Sequence, residues 1–145
     1  MSPHLVLVAD QASARLYRVV RANGGAALLM SVDNPAARGH ERDLGADRPG
    51  RVTAGGTRRH AYGETQSLRD HALDSFATSI ALMVSTAMLD EPGAQLTVAA
   101  GPEMLGLLRP HLGRLGERTF GEWPHNLCRL AETELQHQLR TITTN

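Results

Sequence analysis

The sequence predicts an α/β domain whose mixed sheet has about five strands, and three observations carry that prediction. Three short apolar runs, separated by turn signals, crowd the beginning of the chain. A long stretch with one apolar stripe at helical spacing occupies the middle. Beyond it, apolar runs and helical patterns alternate to the end. The 145 residues are the size of one ordinary domain, so a single unit spanning 1–145 with its own core is expected.

The first strand is the continuous apolar run Leu5 to Ala9, broken by Asp10-Gln11-Ala12-Ser13. Leu16 to Val20, rich in β-branched and aromatic types, is the second. Asn23-Gly24-Gly25 signals a turn, and Ala26 to Val32 makes the third strand of an antiparallel meander. From 34 to 66 the character changes. Glycine and proline recur, large apolar side chains are nearly missing, and a loop of about 30 residues is expected, a length usually tied to function or disorder. Ser67-Leu-Arg-Asp70 resembles a capping box with Asp in place of Glu. It predicts a helix from there to about Leu89, with Leu73, Phe76, Ala77, Ile80, Val84 and Ala87 on one face. Asp90-Glu-Pro-Gly93 ends it. Leu96 to Ala100 reads as the fourth strand, and Gly101-Pro102 starts a helix that should stop before Pro110. Leu115 to Gly121 is the candidate fifth strand. Leu127, Leu130, Ala131, Leu135 and Leu139 mark a last helix. The resulting order, βββ-α-β-α-β-α, is that of an RNase H-like fold with helices on the faces of the sheet.

Composition narrows the function. Apolar residues make up 41% and charged residues 21%, which excludes a disordered chain. Fifteen basic and 15 acidic residues cancel to +0, which excludes a uniformly basic nucleic-acid coat but leaves room for a local patch. Every basic residue of that count is arginine. The single cysteine, Cys128, has no internal partner for a disulfide and cannot hold zinc alone. With no basic leader at the start and only short apolar runs, a cytoplasmic protein without a membrane partner is expected.

Most catalytic patterns fail on inspection. Two-metal phosphodiester hydrolysis needs converging carboxylates. Asp10 ends the first strand, but the fourth ends in Ala99-Ala100-Gly101, and the long helix offers only Asp70 and Asp74 near its expected start. Turn capping and helix-dipole roles account for these acids. The seven histidines show neither His-Glu-x-x-His nor zinc-finger spacing, so no metal and no cofactor is expected. A Gly-x-Ser-x-Gly elbow is missing, and a phosphate-binding Gly-Lys loop is impossible without lysine.

What remains is the segment 34–66. Arg38, Arg42, Arg48, Arg51, Arg58 and Arg59 stand there against Glu41, Asp43, Asp47 and Glu64, with His40 and His60 besides. Guanidinium forks suit phosphates, and paired glycines admit close backbone approach. A solvated loop whose arginines pair with its own acids fits the same residues equally well.

Val6-Leu-Val-Ala-Asp10 with Ala14-Arg-Leu-Tyr17, His40-Glu-Arg-Asp-Leu44, Asp47-Arg-Pro-Gly-Arg51, Gly55-Gly56 with Arg59-His-Ala61, the expected helix containing His71 and Phe76, Ala99-Ala-Gly-Pro102, Leu105-Gly-Leu-Leu-Arg109 and Trp123-Pro-His-Asn-Leu127 stand in that order along nearly the whole chain. Together they resemble one bacterial family, that of the host-attachment proteins. That family is in turn distantly similar to the middle domain of archaeal and eukaryotic peptide-chain release factors and Pelota. The resemblance implies an RNase H-like fold, and a Gly-Gly-Gln loop before the long helix that reaches peptidyl-tRNA in the ribosome. Here Gly55-Gly56-Thr57 matches in its glycines and lacks the glutamine. The implied function is non-catalytic binding of the ribosome or tRNA. Arg42, Arg48, Arg51, Arg58 and Arg59 would hold phosphates, with Gly55, Gly56, Thr57 and His60 at the tip, and any effect on attachment would be indirect. Two alternatives stay open: a dimeric scaffold that docks a protein partner, and a hydrolase of peptidyl or aminoacyl esters using the Gly55-Gly56 loop.

Overall fold

A computed structural model of the chain describes residues 3–20, 25–37, 58–113 and 120–144, with 58–65 described by backbone alone. Its elements are β1 (His4–Ala9), β2 (Ser13–Val19), β3 (Ala26–Asp33), α1 (Arg58–Asp90), β4 (Gln95–Ala99), α2 (Pro102–Gly113), β5 (Gly121–Trp123) and α3 (Glu132–Thr144). The sheet runs β3-β2-β1-β4-β5. β1 pairs antiparallel with β2 and parallel with β4; β2 and β3 are antiparallel, and β4 and β5 parallel. The five-stranded mixed sheet expected from sequence is therefore present, in an order compatible with an RNase H-like arrangement.

β1 is wholly buried because both its faces are covered. Leu5, Leu7 and Ala9 point to the side where α1 and α2 pack, joined by Leu16, Phe76, Ile80, Val84, Leu105 and Leu108. Val6 and Val8 point to the opposite side, against Tyr17, Val19, Leu135, Leu139 and Ile142. The two-residue period of the strand thus divides one apolar run between two cores. Of the stripe expected on the long helix, Phe76, Ala77, Ile80, Val84 and Ala87 are buried and Leu73 is half-buried.

The end of α1 follows from local chemistry. Glu91, Pro92, Gly93 and Ala94 form a turn in which the Ala94 N–H donates to the Glu91 carbonyl at 3.0 Å. Pro92 presets the first central residue. Gly93 takes the second at φ 91°, a conformation that penalises any side chain. This turn delivers the chain directly into β4.

Four sequence expectations need correction. The long helix opens at Arg58, not Ser67, so the loop expected over 34–66 is helical from 58 onward. Extending an existing helix costs far less than nucleating one, and apart from Gly63 nothing in 58–66 opposes it. At the other end of that segment, 35–37 form one helical turn: Asn34 Oδ1 accepts from the Ala36 N–H at 3.2 Å, with Pro35 at the first position. α2 continues through Pro110 to Gly113, where burial of Leu108 and Leu112 holds the last turn together. The fifth strand is described at Gly121–Trp123, while 115–119 of the strand expected over 115–121 lie outside the described residues, and α3 starts at Glu132 after turns that bury Leu127.

Candidate functional site

Of the residues expected to meet RNA, Arg42, Arg48, Arg51, Gly55, Gly56 and Thr57 lie outside the described residues. Arg58, Arg59 and His60 occupy the first turn of α1. That turn contains no acidic residue, whereas α2 opens with Glu103 and α3 with Glu132 and Glu134. Side chains from Gln66 to Ser75 are all exposed or half-buried, and the first buried one is Phe76. At 1.5 Å per residue, Arg58 stands roughly 27 Å along the helix axis from Phe76.

A second place where chemistry converges was not legible as a site. β1 and β4 are parallel neighbours, but the chain leaves β1 toward β2 and leaves β4 toward β5 on the other side. Open α/β sheets form a crevice at such a switch point. Here a cleft of about 650 Å³ lies beyond the carboxyl ends of the two strands, with Asp10, Gln11, Gly101, Glu103, Asn126 and Arg129 among its walls.

Each wall has a local cause. Asp10 Oδ1 accepts from the N–H groups of Ala12 and Ser13 at 2.8 and 2.9 Å, so its carboxylate closes the β1–β2 turn, the role read from sequence. Asn34, which is buried, donates from Nδ2 to the Gln11 carbonyl at 3.0 Å and fixes the same turn from below. The signal for Asn34 was an Asx residue before proline. On α2, the Gly101 carbonyl accepts the Leu105 N–H at 2.9 Å, but glycine offers no side chain to cap the first-turn amides. Asn126 Oδ1 accepts from the Cys128 N–H at 2.9 Å, shaping the turn that carries Arg129.

Cys128 sits beside this cleft. Arg15 Nη2 donates to its carbonyl at 3.1 Å, and the same guanidinium lies 5.8 Å from the centre of the Tyr17 ring. Burial pushes the Cys128 thiol up to about 11, with the negative charge of Asp10 adding to the effect and Arg15 opposing it. The thiol is therefore protonated at neutral pH and a poor nucleophile. Burial likewise raises the Tyr17 phenol. Among the described residues no three His, Cys, Asp or Glu side chains converge to hold a metal ion. His71 and His137 are exposed on helices, as expected.

Sheet and cleft together define an α/β protein with a crevice at the strand switch point. A family model described as "Protein required for attachment to host cells" matches residues 5–139, and the chain belongs to that family. No curated protein matches it.

Proposed function

We propose that this protein is a cytosolic, non-catalytic module that binds ribosomal or transfer RNA through its basic segment, and that it influences attachment indirectly. The observation that carries this reading is the acid-free start of α1. A helix N-terminus already holds about half a positive charge. Arg58, Arg59 and His60 add to it instead of offsetting it, an arrangement that favours a phosphate partner. Arg42, Arg48 and Arg51 precede the same tip in sequence, and Gly55-Gly56 leave room for close approach. The likeness of the family to release-factor middle domains supports the ribosome or tRNA as the source of that phosphate. Thr57 in place of glutamine, and a protonated Cys128, support binding over ester hydrolysis.

Co-sedimentation of the protein with ribosomes at low and high salt tests this. Migration with ribosomes that is lost at high salt is the expected result. Migration in the soluble fraction at both salts overturns the ribosome reading, and salt-tolerant, nuclease-resistant binding would point to a protein partner.

A further inference from the structure

We draw no further inference here: the strongest candidate, the cleft beyond the carboxyl ends of β1 and β4, sets Asp10 and Glu103 against an exposed Arg129 beside the N-terminus of α2, and none of its described walls carries a buried, unpartnered side-chain polar atom that would point to a ligand.

Discussion

Replacing Asp10 by Asn isolates one electrostatic effect at the cleft. The amide keeps the Oδ1 acceptor that closes the β1–β2 turn on Ala12 and Ser13, and it removes the negative charge that helps burial raise the Cys128 thiol. With the thiol at about 11 instead of its ordinary 9.0, the thiolate fraction at pH 8 is roughly a thousandth instead of roughly a tenth. Alkylation of the folded protein should therefore run about a hundredfold slower than that of the unfolded chain, before restricted access adds to the difference. Asp10→Asn lowers the thiol and speeds the reaction. The same shift couples to stability. A thiol raised in the folded state holds its proton between pH 9 and 11 while the unfolded chain has lost it, so stability falls as pH rises through that window. Alkylation rates measured from pH 7 to 11 on both proteins are the assay. A wild-type inflection at or below 9, or an Asp10→Asn protein that reacts more slowly than the wild type, would refute the reasoning.

Other expectations follow from the core and the turns. Ile80→Ala empties a fully buried position between α1 and the sheet and should cost about 2–5 kcal/mol in denaturant unfolding. Gly93→Ala places a methyl on backbone at φ 91° and should cost about 1–2 kcal/mol in the same assay. Arg109→Ala should let the Glu122 carboxyl rise toward its ordinary range, because the bonds at 2.7 and 2.8 Å from Arg109 hold it down; carboxyl titration by NMR reads this directly.

Local signals governed what the sequence disclosed. β1 and the stripe from Phe76 to Ala87 were legible because apolar periodicity is set within a few residues of each position. Glu91-Pro92-Gly93 announced a turn for the same reason. The start of α1 was not legible, since Gly63 and the preceding glycine-rich run read as loop while the helix extends backward from an anchored core. Pro110 misled in the opposite direction: buried Leu108 and Leu112 outweigh its local cost. Asp10 was read correctly as a turn cap. Its place in a cleft was invisible, because the walls come from 10–12, 101–104 and 126–129 and meet only through sheet order. Of the expected RNA-contacting residues, only Arg58, Arg59 and His60 gained a structural setting.

The most direct test of the central claim is the salt dependence of tRNA or ribosome binding by the wild type and by the Arg58→Ala, Arg59→Ala double variant. If both guanidiniums at the tip of α1 neutralise phosphates, the slope of log K against log salt should flatten by about 1.5 in the variant. A slope unchanged by the two substitutions would contradict the account.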